Sequence, residues 1–130
     1  MAGDVRSLAV FQRAYALSLE VHRASLLWPK VEQVSGIASQ IRRSSKAVCA
    51  LLAEGSGRQH GSEREWQRYL VMALGSADET KLWCAYAHDL GYVERAATEA
   101  WQRACGEIAC MLQGLLRHRP TADWQLTPGN

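Results

Sequence analysis

Residues 62–91, SEREWQRYLVMALGSADETKLWCAYAHDLG, decide the fold of this chain because they form one uninterrupted helical segment. Ser62 and Glu65 make a Ser-x-x-Glu capping box, in which each side chain binds a free backbone N–H at the helix start. Gly91 suits the left-handed position that follows a helix. The pattern predicts a helix over residues 62–90 that is roughly 43 Å long. So long a helix needs partners of similar length.

Three further helical segments accompany this one. Apolar residues recur with a helical period over residues 7–27, 35–54 and 93–118. Ser7 and Ser35 are the candidate N-caps of the first two segments. Trp28-Pro29 ends the first helix, and Gly55 fits the C-cap of the second. No alternating strand pattern competes, so the sequence predicts an all-α, antiparallel, up-down-up-down four-helix bundle.

The composition fits one globular domain. The chain has 130 residues, 48% of them hydrophobic, with a formal net charge of +2, which excludes intrinsic disorder for most of its length. We expect the bundle to occupy residues 1–118 and a poorly ordered tail to occupy residues 119–130. No apolar run approaches the ~18 residues of a membrane span, and the first residues lack a signal-peptide pattern. The expected location is the cytoplasm, without membrane contact.

The segment 62–91 has more apolar surface than one bundle buries. Three apolar lines run along it, through Trp66, Val71 and Met72 respectively, whereas a helix in a monomeric bundle buries one stripe. Gly75 supports the same interpretation. A mid-helix glycine costs about 1 kcal/mol relative to alanine, and close approach of another backbone is the usual compensation. The pattern therefore predicts a homo-oligomer.

Basic residues concentrate on the second helix. Arg42, Arg43, Lys46 and Arg58 oppose the single Glu54 within residues 35–58, and the first three can share one side of the helix. Such a cluster can contact the phosphates of RNA or DNA. The alternative is that these side chains pair with acidic residues of a neighbouring subunit. The acidic candidates for that pairing are Glu63, Glu65 and Asp78.

Two carboxylates occupy unusual positions. Glu54 ends a run of small residues, and Glu79 lies on an apolar line of the third helix. Buried carboxylates require hydrogen-bond donors or a positive partner. We expect Glu54 and Glu79 to form a structural polar lock between helices. Glu79 is predicted to be substantially buried and paired with an arginine or with backbone donors.

No motif predicts a metal, a cofactor or a reaction. The four cysteines have no zinc-binding spacing and are expected to be buried apolar residues; they are Cys49, Cys84, Cys105 and Cys110. His22 lies on an apolar line of the first helix and is predicted to be a core histidine. We expect a protein without enzymatic activity. The alternative is a small enzyme using Glu54 and Glu79, or the Cys84–His88 pair on one helix face.

Several pieces of the sequence follow an order and spacing typical of one family. They are SQIRRSSKAV (39–48) with LAEGSGR (52–58), LAVFQRA (8–14), WPK (28–30), RYL through ALGSADE (68–79) and DLGY (89–92). This ordered set resembles the four-helix-bundle proteins found in intervening sequences of bacterial 23S ribosomal RNA genes. The resemblance covers about residues 7–116.

The resemblance implies an up-down bundle that assembles into a ring-like homopentamer and has no enzymatic activity. Relatives include the accessory protein of diversity-generating retroelements, a basic pentamer that binds nucleic acid and a reverse transcriptase. RNA, DNA and a reverse transcriptase are therefore implied partners. The family usually has Asn where this chain has Leu51. A polar contact near Glu54 is accordingly expected to be absent.

Overall fold

The structure, a computed structural model, describes residues 4–58 and 62–117. Four helices occupy these ranges, and the described residues contain no strand. The helices are α1 (Ala9–Ser25), α2 (Ile37–Arg58), α3 (Glu63–Asp89) and α4 (Arg95–Arg117). Short 3₁₀ turns precede α1 at Val5–Ser7 and lie between α1 and α2 at Lys30–Glu32. The all-helical prediction is confirmed, and the predicted tail at 119–130 lies outside the described residues.

One apolar line of each helix faces a core that the four helices share. α1 packs against α2 and α4, and α3 packs against the same two helices, but no close backbone contact joins α1 to α3 in the described ranges. The most deeply buried large side chains are Val21, Ile41, Leu52, Leu70, Ile108 and Leu112. The arrangement leaves α1 and α3 at opposite corners of the bundle. Their outer faces are therefore separate surfaces.

Both ends of α3 follow local sequence signals. The Ser62 side chain accepts a hydrogen bond from the Glu65 backbone N–H at 3.2 Å, which is one half of the predicted capping box. The Glu65 carboxylate lies 3.6 Å from Arg68 Nε instead of binding the N–H of Ser62. At the other end Gly91 has φ +84°. The backbone N–H groups of Gly91 and Tyr92 donate to the carbonyls of His88 and Ala87 at 2.9 and 2.8 Å. These two hydrogen bonds form a Schellman motif, which ends the helix before the glycine.

The predicted end of α2 at Gly55 is wrong, since the helix continues to Arg58. Gly55 is buried, and a Cβ placed on it would lie 2.5 Å from the Tyr69 Cβ. A glycine is needed here because α2 and α3 approach closely, not because the chain turns. The glycine is therefore explained by packing between helices and not by a local helix-stop signal.

The predicted N-caps of α1 and α2 are also wrong. Ser7 lies in the preceding 3₁₀ turn, and α1 begins at Ala9. For α2, Glu32 replaces Ser35 as the capping residue. The Glu32 carboxylate accepts from the backbone N–H of Ile37 at 2.9 Å and from the Tyr92 hydroxyl at 2.8 Å. One carboxylate thus joins the α1–α2 connection to the α3–α4 connection.

Candidate functional site

The three basic residues predicted to share one side of α2 have different environments. Arg42 is half-buried, whereas Arg43 and Lys46 are exposed. The Arg42 guanidinium donates to Ser25 Oγ at 2.8 Å and to the backbone and side-chain oxygens of Gln33 at 3.2 and 3.1 Å. Arg42 therefore uses its donors inside the chain, and it holds the α1–α2 connection against α2.

Gln33 completes this internal network. Its side-chain amide donates to the backbone carbonyls of Ser25 and Trp28 at 2.8 and 2.9 Å. The Ser25 carbonyl ends α1 and the Trp28 carbonyl lies just beyond it, where carbonyls have no partner within the helix. Trp28 itself is buried and lies against Tyr92, with ring centroids 5.8 Å apart. Arg42 belongs to the structural network of this connection, and its predicted phosphate contact has less support than that of Arg43 or Lys46.

Lys46 has a partner that the sequence did not suggest. Its Nζ lies 2.9 Å from Nδ1 of His22 on α1. His22 is half-buried beside this cation, and the prediction that it is a core histidine is wrong. The Lys46 ammonium, desolvation and the guanidinium groups of Arg42 and Arg23 hold the pKa of His22 below its ordinary value of 6.5. We define the basic edge as His22 and Arg23 of α1 together with the exposed Arg43 and Lys46 of α2.

Within the described ranges, neither carboxylate of α1 and α2 pairs with a residue of the basic edge. α1 and α2 contain two carboxylates, Glu20 and Glu54. Glu20 accepts from the Trp101 indole N–H at 2.9 Å on the side that faces α4, and Glu54 accepts from the Tyr69 hydroxyl at 3.0 Å on α3. Arg58 ends α2, and its predicted contact with nucleic acid falls outside what the structure describes. The basic edge consequently carries an unbalanced positive charge.

Glu54 and Glu79, the two carboxylates of the predicted polar lock, make different contacts. One contact joins two helices and the other stays within α3. Glu54 joins α2 to α3 through Tyr69, while Leu51 packs against the core beside it. Glu79 is exposed and accepts from the Trp83 indole N–H at 3.0 Å, one turn along the same helix. The predicted burial of Glu79 is wrong within this chain, because its position turns outward from the helix contacts. Its hydrogen-bond partner is an indole and not an arginine.

The residues of the enzyme alternative have separate partners. Cys84 is fully buried. Its hydrogen bond with Cys105 is the larger cause that raises the pKa of the Cys84 thiol, and burial is the second. A thiol with a raised pKa is a poor nucleophile. His88 is half-buried with Nδ1 3.0 Å from the Val93 carbonyl oxygen. Burial also raises the pKa of the Cys49 thiol to about 11.

Neither a metal cluster nor a membrane span is found in residues 4–58 and 62–117. No group of three or more His, Cys, Asp or Glu side chains there is arranged to hold a metal ion. None of the four helices combines the length and apolarity that crossing a bilayer requires.

Some of the exposed apolar side chains form two stripes on opposite corners of the bundle. The others lie at the end of α1, in the α1–α2 connection and on α4; they are Leu26, Leu27, Val31, Val34 and Met111. The α1 stripe consists of Tyr15 and Leu19, with Phe11 stacked against Tyr15 at a centroid distance of 6.0 Å. The α3 stripe consists of Val71, Leu82, Tyr86 and Leu90, which are each about half exposed. Exposed apolar patches of this kind usually mark contact surfaces. The sequence predicted extra apolar lines on α3, but it did not separate these two surfaces.

The fold and sequence have recognisable relatives. The profile of the family described as "23S rRNA-intervening sequence protein" matches residues 6–114, while no curated protein matches the chain significantly. A crystal structure of a protein with unknown function from the S23 ribosomal protein family of Bacteroides thetaiotaomicron is similar, with a TM-score of 0.75 and 20% identity. The match covers 84% of this chain and 99% of that one, and it establishes a shared fold. Because the family profile spans most of its length, the chain belongs to the 23S rRNA-intervening sequence protein family.

Proposed function

We propose that this chain is a non-enzymatic scaffold, an antiparallel up-down four-helix bundle that assembles into a homopentameric ring and contacts RNA or DNA. The observation that carries the proposal is the pair of exposed apolar stripes on α1 and α3. The short connections between successive helices favour the up-down topology. The exposed Cys110 thiol favours a reducing compartment, the cytoplasm.

The geometry of the stripes favours a ring over a symmetric dimer. A two-fold dimer buries the same patch on both subunits, whereas a head-to-tail contact joins two different patches. The α1 and α3 stripes lie at opposite corners, because α1 and α3 make no close backbone contact in the described part of the chain. Pairing the α1 stripe of one subunit with the α3 stripe of the next repeats the same step around a circle. Such heterologous contacts close into a ring when the rotation from one subunit to the next divides a full turn, and the proposal requires five such steps.

Assembly would multiply the charge of the basic edge. Arg43 and Lys46 are exposed on α2, and one copy can reach roughly two phosphates. Five copies would reach about ten, so that binding falls steeply with salt, by roughly 0.9 log unit per contact for each tenfold rise. The family description refers to 23S rRNA, which makes RNA the first probe. A reverse transcriptase remains a further partner implied by the resemblance.

The absence of enzymatic activity is part of the proposal. Glu54 is engaged with Tyr69, Glu79 with Trp83, and Cys84 with Cys105. A nucleophile needs a base within hydrogen-bond reach. The buried Cys84 and the carbonyl-bound His88 do not form such a pair by any hydrogen bond in the described residues. These contacts favour structural roles for all four groups.

Light scattering and a salt titration test the proposal together. We expect a mass of about 72 kDa, five times the 14.4 kDa chain, and RNA binding below micromolar at low salt. The Arg43→Ala/Lys46→Ala double variant should lose most RNA affinity while keeping its mass. The matched control is Arg95→Ala/Arg103→Ala, which removes two exposed charges from α4.

Two outcomes would contradict the proposal. A mass near 14.4 kDa across micromolar concentrations would exclude the assembled scaffold. Equal loss of RNA affinity in both double variants would show that binding follows net charge and not the basic edge.

A further inference from the structure

The contact between His22 and Lys46 favours the neutral form of the imidazole in the free protein. Its Nδ1 lies 2.9 Å from the Lys46 ammonium. An ammonium group can only donate hydrogen bonds, so Nδ1 must accept and the ring must be neutral, with its proton on Nε2. The Lys46 side chain is exposed. It is therefore able to exchange this neutral partner for a charged one.

Every charged group that acts on His22 is positive. Lys46 acts most strongly, and Arg42 and Arg23 add to it. Arg42 is fixed in place, because it donates to Ser25 Oγ, and Ser25 in turn donates to the His22 carbonyl oxygen. The carboxylates of α1 and α2 are bound to α3 and α4 side chains instead. A protonated His22 would thus lack an anion beside it among residues 4–58 and 62–117.

We propose that His22, Arg23 and Lys46 form a subsite for the phosphodiester oxyanions of a nucleic acid, in which the anion accepts from Lys46 and from a protonated His22. The assignment rests on the proposed function for the identity of the ligand. An oxyanion is a stronger acceptor for the ammonium than a neutral imidazole. It also offsets the repulsion that keeps the ring neutral. Binding of the anion therefore adds a proton to His22.

This subsite differs from the cluster that the sequence predicts. Arg42 is replaced as a phosphate contact by two residues of α1, because its own donors are committed to Ser25 and Gln33. His22 adds a contact whose strength depends on pH. By thermodynamic reciprocity, the factor by which the anion favours protonation equals the factor by which protonation favours the anion. The affinity for nucleic acid should rise as the pH falls through the ordinary range of histidine.

An NMR titration tests the subsite without nucleic acid. The probe is inorganic pyrophosphate, and the readout is the Hε1 resonance of His22, assigned by its loss in His22→Gln. We expect pyrophosphate to raise the titration midpoint of His22 by about one pH unit or more. In the free protein, Lys46→Gln should raise that midpoint toward the ordinary value by removing the strongest cation. A midpoint that pyrophosphate leaves unchanged would overturn the subsite.

The second arm measures single-stranded RNA binding at pH 5.5 and pH 7.5 at one salt concentration. We expect the full-length parent to bind about fivefold or more tightly at the lower pH, and His22→Gln to lose this dependence. The control is His88→Gln, which changes a histidine bonded to Val93 and should retain it. RNA binding with no pH dependence in the parent would overturn this inference and leave the proposed function standing. No RNA binding at either pH would overturn the proposed function, and the nucleic-acid ligand with it.

Discussion

Replacing Gly75, in the middle of α3, should stabilise an isolated chain but weaken the contact between subunits of an assembly. Gly75 is exposed, and a Cβ placed on it meets no atom within 4 Å in this chain. Glycine inside a helix costs about 1 kcal/mol relative to alanine. In a monomer, Gly75→Ala should therefore raise the free energy of unfolding by up to about 1 kcal/mol.

In the proposed ring the same methyl group would meet a neighbouring subunit. Gly75 lies on the α3 stripe between Val71 and Leu82, where a glycine permits close approach of another backbone. Forcing an extra methyl into a packed contact costs about 1–3 kcal/mol. Each 1.4 kcal/mol changes an equilibrium constant tenfold. The association constant of each subunit contact should therefore fall by roughly fivefold to a hundredfold.

The assay is light scattering over a dilution series, with urea unfolding of the same samples. The matched control is Gly106→Ala on α4, where a Cβ also meets no atom within 4 Å. The control should gain about 0.5–1 kcal/mol of stability and keep the parent mass. Gly75→Ala should dissociate at a higher protein concentration than the parent.

One outcome refutes the reasoning directly. If Gly75→Ala and Gly106→Ala are equally stabilised and keep the same mass at every concentration, no subunit lies against the centre of α3. The α3 stripe would then lose its role as a subunit contact, and the compensation for the glycine would have to come from elsewhere.

Two further substitutions test the interior. Arg42→Ala should lower the free energy of unfolding by about 2 kcal/mol, since it removes three charged hydrogen bonds at a half-buried site. Arg43→Ala, at an exposed position, should stay within about 0.5 kcal/mol in the same urea titration, and equal effects would contradict the structural role of Arg42. Gly55→Ala should cost about 1–2 kcal/mol, because overpacking against Tyr69 exceeds the gain in helix propensity. A rise in melting temperature would show that α2 and α3 are not tightly apposed there.

The helices were predictable because their signals are local. The cap at Ser62 and the stop at Gly91 depend on residues within one helical turn, and periodicity reports which face of a helix is apolar. The cap of α2 was not predictable in this way. Glu32 reaches it across the α1–α2 connection, and a carboxylate several residues before a helix is not a recognised start signal. Gly55 was misassigned because the reason for it, Tyr69, lies on another helix.

The structure gives the basic residues predicted for α2 different environments, while their contact with nucleic acid stays a prediction. Helical spacing grouped Arg42, Arg43 and Lys46 because it considers one helix at a time. The acceptors that occupy Arg42 lie at the end of α1 and beyond it, and His22 joins Lys46 from the facing helix. A histidine on an apolar line is usually part of the core. Nothing in the sequence separates His22 from that majority, because its partner Lys46 lies on a different helix.

The competing role for the basic edge, pairing with acidic side chains of a neighbouring α3, can be weighed by charge. Glu63 and Glu65 already contact Gln67 and Arg68 on their own helix. Asp78 and Asp89 are both exposed on α3 and make no hydrogen bond or ion pair in the described part of the chain, so both are candidates to reach across. Two carboxylates cannot neutralise the three exposed cations of the edge, and a subunit contact built on that pairing would bury unpaired positive charge at high cost. A polyanion supplies several negative charges along one strand, and it can balance the edge more fully than these two side chains.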